Sequence, residues 1–261
     1  MSKVSFIQLL FIFAMTIVAL PISAFAQQPT IALPLIEASD KPEIDGLWTT
    51  SDEWSKASLA SLNYTDGTQL VIRAMRDGES VYVLLEMPQD FVVDGHAAVC
   101  FDTLSDGGAY MNPDDYCFVL GENLREFHGD GRTTLMQQIP LEPDVVADRG
   151  LSGTNSPYRS ASDHVTYEFQ VPMDHIGADR TQYGFYVTFD TLGQTTNYSY
   201  YYSWPDSKSA SYLRVASPRA WGIASTSSDV EIPEFPLHVV GAIAALVGIM
   251  AIIGRIKILK P

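Results

Sequence analysis

Aromatic side chains recur at every second position between residues 198 and 204. A β-strand turns alternate side chains to one face, so four rings share a face: Tyr198, Tyr200, Tyr202 and Trp204. A row of rings can stack against the C–H face of a pyranose and so act as a sugar platform. The same row can instead form part of a hydrophobic core, because aromatic side chains bury large areas. The pattern therefore predicts either ligand-binding rings or core rings, with Trp48 and Trp54 as two further candidate ligand contacts.

Oxygen-bearing side chains are dense between residues 102 and 115. Gly107 and Gly108 allow the chain to turn tightly within this stretch. Calcium takes six to eight oxygen ligands, so we predict a cation site built from Asp102, Asp106, Asn112, Asp114 and Asp115. The alternative is a solvated hairpin tip that binds no ion.

The two cysteines of the chain, Cys100 and Cys117, lie in short apolar runs on either side of the turn-rich stretch. If those runs are neighbouring antiparallel strands, the two side chains lie opposite each other. In an oxidising compartment they would then form a disulfide. The chain-entropy estimate gives such a bond ~3 kcal/mol. Two buried free thiols are the alternative.

Two further motifs carry chemistry of another kind. Asn63-Tyr64-Thr65 and Asn197-Tyr198-Ser199 are acceptor sequences for N-linked glycans, at Asn63 and Asn197. The sequence contains no nucleophile elbow, no zinc-binding HExxH and no phosphate-cradling glycine loop. We therefore predict that the protein is not an enzyme.

The two ends of the chain indicate where the protein works. Residues 1–26 combine Lys3, an apolar run and the small-x-small pattern Ala24-Phe25-Ala26, which is typical of a secretory signal peptide. Residues 237–254 are apolar and precede a basic tail, 255–261, which predicts one transmembrane helix with a cytoplasmic tail. Residues 27–222 would then form an extracellular ligand-binding domain, carried on a stalk at 223–236.

Charge narrows the possible partners. The net charge is −15, and all 31 acidic residues lie between the two apolar terminal segments. Such a surface repels nucleic acid and anionic lipid headgroups, and it favours cations or neutral ligands. We therefore predict no nucleic-acid partner.

The pattern between the termini is mostly of period two. Short runs such as residues 70–75, 81–87 and 183–190 are separated by turns rich in Asp, Gly, Asn and Pro. Residues 81–87 are mostly apolar, which predicts a strand buried on both faces. Helical periodicity is confined to the two terminal segments. The sequence therefore predicts an all-β fold, an antiparallel β-sandwich.

Several segments resemble known domains. Pro42-Glu43-Ile44-Asp45-Gly46, with Trp54 close behind, resembles the opening of the family 9 carbohydrate-binding modules and of the DOMON-like, ethylbenzene-dehydrogenase-type haem domains. Segments 81–83, 98–102, 167–172, 176–177 and 221–222 continue the resemblance in order. It implies a jelly-roll-like β-sandwich that binds carbohydrate, with calcium, as those sugar-binding modules do. It equally implies a haem b electron-transfer domain as the alternative.

The C-terminal segment Ile232-Pro233-Glu234-Phe235-Pro236, followed by the apolar span and basic residues, resembles the PEF-type sorting tails of archaeal surface proteins. That resemblance implies an archaeosortase-like processing enzyme as a partner, and a retained helix is the alternative. We expect a membrane-anchored extracellular binding module for a glycan or cell-surface polysaccharide. Haem b electron transfer and a structural surface protein are the two alternatives.

Overall fold

The computed structural model describes residues 28–133, 135–152, 155–158, 163–192, 199–205 and 215–226. Within these ranges thirteen strands form two sheets that pack face to face, which confirms the all-β sandwich. The strands are β1 (Thr30–Ala32), β2 (Ser58–Asn63), β3 (Gln69–Arg76), β4 (Ser80–Met87), β5 (His96–Asp102), β6 (Asp115–Leu120), β7 (Leu124–His128), β8 (Gln137–Ile139), β9 (Val146–Leu151), β10 (Val165–Pro172), β11 (Gln182–Leu192), β12 (Ser199–Trp204) and β13 (Gly222–Ser225).

Short helical elements join some of these strands. They are the 3₁₀ turns Ala38–Asp40 and Pro218–Ala220 and the α-helix α1 (Met173–Ile176). Each of these elements in the described ranges is far shorter than a membrane-crossing helix. The predicted signal peptide, transmembrane helix and basic tail lie outside the described residues.

The larger sheet has the order β1-β13-β11-β5-β6-β7-β8, and β12 pairs with the second half of β11 on the edge that β13 also uses. The smaller sheet has the order β2-β3-β4-β10-β9. Only the β1–β13 pair among the described strand pairs is parallel. Because β13 continues to Ser225, the sandwich extends beyond residue 222, where the sequence predicted the stalk to begin.

Alternation along the strands forms the main core. On β11, Tyr183, Phe185, Val187 and Phe189 point inward and are buried. Strand β4 is buried along its whole length, as its mostly apolar sequence predicted, because its outer face is covered as well. Burial of this apolar surface is the main source of stability for the sandwich.

The segment at residues 34–57 covers the outer face of the smaller sheet. Its side chains Ile36, Trp48 and Trp54 pack on Tyr82 and Leu84 of β4 as a second apolar layer. The smaller sheet is therefore closed to ligands over this area.

The predicted disulfide is confirmed. Cys100 on β5 and Cys117 on β6 lie directly opposite each other in an antiparallel pair and are bonded. Both are buried on the outer face of the larger sheet, under Tyr186, Trp221 and Met111.

The sandwich has an upper and a lower end. The upper end contains the turn at 64–68, the loop at 88–95, the start of β5 and the end of β11. The lower end contains the turn at 77–79, the loop at 103–114 and Thr226, whose backbone N–H donates to Thr181 at the start of β11. The described chain therefore leaves the sandwich at its lower end.

Candidate functional site

The outer face of the larger sheet carries cross-strand rows of side chains. At the upper end Tyr201 of β12 lies opposite Asp190 of β11, and Asp190 lies opposite His96 of β5. We call these three residues the upper row. Because side chains opposite each other on neighbouring strands approach closely, the row is one continuous surface.

The upper row combines one exposed ring with two polar groups. Tyr201 is 43% exposed, whereas Asp190 is 8% exposed. Asp190 Oδ1 accepts hydrogen bonds from the backbone N–H of His96, at 2.5 Å, and from the ring Nδ1, at 3.2 Å. The row borders a shallow depression whose floor is formed by Ala98, Val119 and Thr188.

This arrangement matches what a sugar requires from a protein. The phenol ring of Tyr201 offers a face for a pyranose C–H surface and a hydroxyl for hydrogen bonding. The carboxylate of Asp190 can accept hydrogen bonds from sugar hydroxyls. The imidazole of His96 can donate a hydrogen bond to a sugar hydroxyl or accept one from it. Ligand sites with an apolar surface and a few convergent polar groups follow this plan.

The aromatic row predicted from the sequence is a core row where its side chains are described. Tyr202 and Trp204 point inward, and Tyr202 stacks on Phe189 with ring centroids 5.0 Å apart. Trp204 packs at 5.7 Å from Phe185. A sugar cannot reach these buried rings, so the platform prediction is wrong for both residues.

The remaining members of that row have no described side chains. Tyr198 lies outside the described residues, and Tyr200 is described only as a backbone position of β12. Among the described side chains of the strand, the exposed ring is Tyr201, on the opposite parity. That parity holds one ring between Ser199 and Ser203, and alternation alone does not say which parity faces outward.

Trp48 and Trp54 are structural rather than exposed. Both are buried in the layer that covers the smaller sheet, so the prediction that they contact a ligand is wrong. The indole Nε1 of Trp54 donates to Glu168 Oε1 at 2.9 Å. The guanidinium of Arg73 lies 4.8 Å from the ring centroid of Trp48, a cation–π contact.

The side chain of Glu168 links the Pro42–Gly46 motif to Trp54. The backbone N–H groups of Asp45 and Gly46 donate to its Oε2, at 3.1 and 2.9 Å. Gly46 has a φ of +77°, and a Cβ there would lie 2.4 Å from the backbone carbon of Arg149. The motif therefore fixes the covering segment onto β10, where Glu168 is buried.

The loop at 103–114 brings the predicted metal ligands together at the lower end. Carboxylate oxygens of Asp102, Asp106 and Asp114 all lie within 4.8 Å of one another. Asp102 also accepts hydrogen bonds from the backbone N–H groups of Asp106, at 3.3 Å, and Gly107, at 2.9 Å. The loop therefore folds around the Asp102 carboxylate.

Asp115 is the most unusual member of the cluster. It is fully buried, and its Oδ2 accepts one hydrogen bond, from the backbone N–H of Asn112 at 2.5 Å. Its Oδ1 is buried without a hydrogen-bond partner. Burial raises the pKa of Asp115 to about 8, and the charges of Asp102, Asp114 and Asp106 add to that rise. Buried carboxylate oxygens are normally hydrogen-bonded or bound to a metal.

Asn112 contacts this cluster through its side chain. Its side-chain amide donates to Asp106 Oδ1 at 3.4 Å, and its side-chain oxygen points towards Gly131. The structure therefore brings Asp102, Asp106 and Asp114 together, with Asp115 opposite Asp102 in the β5–β6 pair.

Two histidines that could have served haem are engaged by carboxylates. His164 is buried, with its Nε2 at 3.2 Å from Glu86 Oε1 and its Nδ1 at 3.2 Å from the Ser152 hydroxyl. His175 places its Nε2 2.6 Å from Glu126 Oε1. Haem b remains a prediction from the resemblance alone.

The two predicted glycan acceptors differ in what is described. Asn63 is exposed at the end of β2, at the upper end of the sandwich. Asn197 lies outside the described residues.

Comparison with known proteins gives a fold likeness. No family model and no curated protein matches the chain. The chain is similar to the solved structure of a family 9 carbohydrate-binding module from Caldicellulosiruptor kristjanssonii in complex with cellotriose, with a TM-score of 0.48, 14% identity, and 80% of this chain and 100% of that chain covered. The glucose complex of such a module from the same organism gives a TM-score of 0.47 and 14% identity, covering 78% of this chain and 100% of that one.

Proposed function

We propose that the protein is a non-catalytic carbohydrate-binding module whose site is the upper row. The observation that carries the proposal is the exposed ring of Tyr201, in register with Asp190 and His96. A sugar would stack on Tyr201 and place its hydroxyls over Asp190. The sequence also resembles the family 9 carbohydrate-binding modules. That resemblance implies a jelly-roll-like fold and the same class of ligand.

The position of the row suits a surface receptor. β11 begins beside Thr226 at the lower end and reaches Asp190 eight residues later, about 26 Å away at the rise of an extended strand. If residues 237–254 anchor the chain in a membrane, the upper row points away from that membrane. We therefore propose a cell-surface glycan or polysaccharide as the partner, and Asn63 as a glycan acceptor at the same end. Processing at the PEF-type tail belongs to the same proposal.

A calcium ion at the lower end would support this module. Asp102, Asp106 and Asp114 supply converging carboxylates, and the unpaired Oδ1 of Asp115 supplies a buried one. Hard oxygen ligands of this kind suit calcium. The ion would stabilise the loop at 103–114 and takes no direct part in sugar binding.

The test is a binding titration of the full chain against a panel of oligosaccharides. The panel contains cellotriose, glucose, and oligosaccharides of mannose, galactose, N-acetylglucosamine and glucuronate. We expect micromolar to millimolar binding of at least one member, the range in which a single stacked ring and a few hydrogen bonds operate. Absence of binding across the panel and to polysaccharide extracted from the source cells would overturn the proposal.

Tyr201→Ala tests the site itself, because it removes the ring and leaves the sheet intact. Tyr110→Ala is the matched control, since Tyr110 is also 43% exposed but lies in the loop at the lower end. We expect Tyr201→Ala to weaken binding at least tenfold and Tyr110→Ala to leave it unchanged. Equal losses in both variants would place the site elsewhere.

A further inference from the structure

The position of the upper row depends on Gly95, which lies beneath it. Gly95 comes directly before His96, and a Cβ at Gly95 would lie 2.0 Å from the backbone oxygen of Asp190 and 3.3 Å from the hydroxyl of Tyr167. Only glycine allows the loop at 88–95 to approach β11 so closely. Displacing Gly95 would therefore displace the His96 backbone N–H, which donates to Asp190 Oδ1.

An arginine from the opposite sheet holds Gly95 in this place. Arg149 lies on β9 of the smaller sheet, and its Nη1 donates to the backbone oxygen of Gly95 at 2.5 Å. It shares the parity of Ala147, which packs against the main core, so its side chain starts from the inner face. The guanidinium thus crosses from the smaller sheet to the loop that leads into β5.

The same guanidinium also interacts with a tyrosine hydroxyl below the upper row. It acts electrostatically on the hydroxyl of Tyr167, which stands opposite Arg149 in the β9–β10 pair. Asp90 and Asp190 also act electrostatically on that hydroxyl. Arg149 therefore interacts with a buried phenol as well as with the Gly95 carbonyl at the upper end.

We propose that Arg149 is a positioning residue for the upper row, acting through Gly95 on the geometry of His96 and Asp190. What the row binds rests on the proposed function, whereas the effect of Arg149 on His96 does not. Asp190 Oδ1 accepts from His96 Nδ1 only when that nitrogen carries the proton. Arg149 thus keeps the neutral imidazole in its Nδ1–H form, with Nε2 as the acceptor nitrogen.

The first measurement needs no ligand. Two-bond ¹H–¹⁵N correlation spectra of the full chain, labelled with ¹⁵N-histidine at a pH where imidazole is neutral, report the tautomer of His96. We expect the Nδ1–H form to dominate in the wild type. Arg149→Met should move His96 towards a mixture of both tautomers, and Arg149→Lys should restore most of the Nδ1–H form, because lysine keeps one charged donor for Gly95.

Arg73→Met is the matched control. Arg73 also donates to a backbone oxygen, that of Trp54, but it lies in the layer outside the smaller sheet, where it contacts the ring of Trp48. It should lower stability without changing the His96 tautomer. If Arg149→Met does not fold, Arg149→Gln and Arg149→Lys are compared in its place. An unchanged tautomer in every folded Arg149 variant, or an equal change in Arg73→Met, would overturn the proposal.

The second measurement is the affinity for the panel oligosaccharide that the wild type binds most tightly. We expect about a tenfold loss in Arg149→Met and a smaller loss in Arg149→Lys, the size expected when one hydrogen-bonding group is misaligned. An unchanged affinity together with a changed tautomer would limit Arg149 to His96 and overturn its role in the site. If no panel sugar binds the wild type, the proposed function fails, and the tautomer still decides the role of Arg149.

Discussion

Glu168 and Asp115 are two fully buried carboxylates on the outer faces of opposite sheets. Burial is the largest cause that raises the pKa of each to about 8. Glu168 accepts three hydrogen bonds, from Trp54, Asp45 and Gly46, and both of its oxygens are used. Asp115 accepts one, leaves Oδ1 without a partner and faces three other aspartates.

The difference separates a carboxylate with both oxygens hydrogen-bonded from one with a buried oxygen that accepts no hydrogen bond. A buried carboxylate that accepts hydrogen bonds on both oxygens stabilises one arrangement of the backbone that donates them. At Glu168, that backbone belongs to the segment that covers the smaller sheet. A buried oxygen without a donor, among like charges, is costly unless a cation is present. The outer face of the smaller sheet is therefore closed by protein, whereas that of the larger sheet carries both candidate sites.

The largest effect is expected at Glu168. Glu168→Ala leaves three donors without their acceptor, and we expect a loss of about 3–4 kcal/mol in the free energy of unfolding. Equilibrium urea denaturation measures it, with the exposed Glu79→Ala as the control, for which we expect less than about 0.5 kcal/mol. Similar losses in the two variants would show that Glu168 does not fasten the covering segment.

Removal of the disulfide is next in size. Cys100→Ser with Cys117→Ser opens a loop with a sequence separation of 17, and the chain-entropy estimate is about 3 kcal/mol. The same denaturation experiment measures this loss. If the double variant were as stable as the wild type, packing of Tyr186 and Trp221 over this face would be sufficient without the disulfide.

Calcium should stabilise the lower end by a comparable or smaller amount. At a free concentration one hundred times its Kd the ion would add about 2.7 kcal/mol, and a chelator would remove it. Melting temperature in calcium and in chelator measures the effect. Asp102→Asn and Asp114→Asn should abolish it, whereas the exposed Asp144→Asn should not. A wild-type melting temperature that ignores the chelator contradicts the cation site.

The smallest effect, taken over one pH unit, is a pH dependence from Glu168. Its pKa is about 8 in the folded protein against an ordinary value of 4.5, so between these pH values the unfolded chain binds fewer protons. Stability from this group is therefore fully present below pH 4.5 and is lost as pH rises through about 8. One group gives at most about 1.4 kcal/mol per pH unit. In Glu168→Gln this part of the slope should vanish. A slope that persists unchanged would assign it to other groups.

Local features of the sequence predicted much of this structure. Cys100 and Cys117 lie on two short strands joined by one loop, so their pairing followed from a single hairpin. Asp102, Asp106 and Asp114 come from one loop and the end of the strand before it, and their proximity required no distant contact. Period-two alternation identified the strands because one face of each is buried.

The upper row required contacts that a linear pattern does not contain. Tyr201, Asp190 and His96 lie side by side because β12, β11 and β5 are neighbours in a set register, and the β5–β11 pair joins residues 94 positions apart. The burial of Trp48 and Trp54 depends on a covering segment folding over β4. Nothing in the spacing of those tryptophans distinguishes a covered ring from an exposed one.

Stacking of a sugar on Tyr201 can be observed at the ring itself. The experiment is a sugar titration of the full chain with ¹³C-labelled tyrosine rings, in which Tyr201→Phe identifies the Tyr201 signal. We expect the Tyr201 ring signal to shift with the same Kd as the bulk titration, while the Tyr110 signal stays in place. A sugar that binds but leaves the Tyr201 signal unmoved would show that it does not stack there.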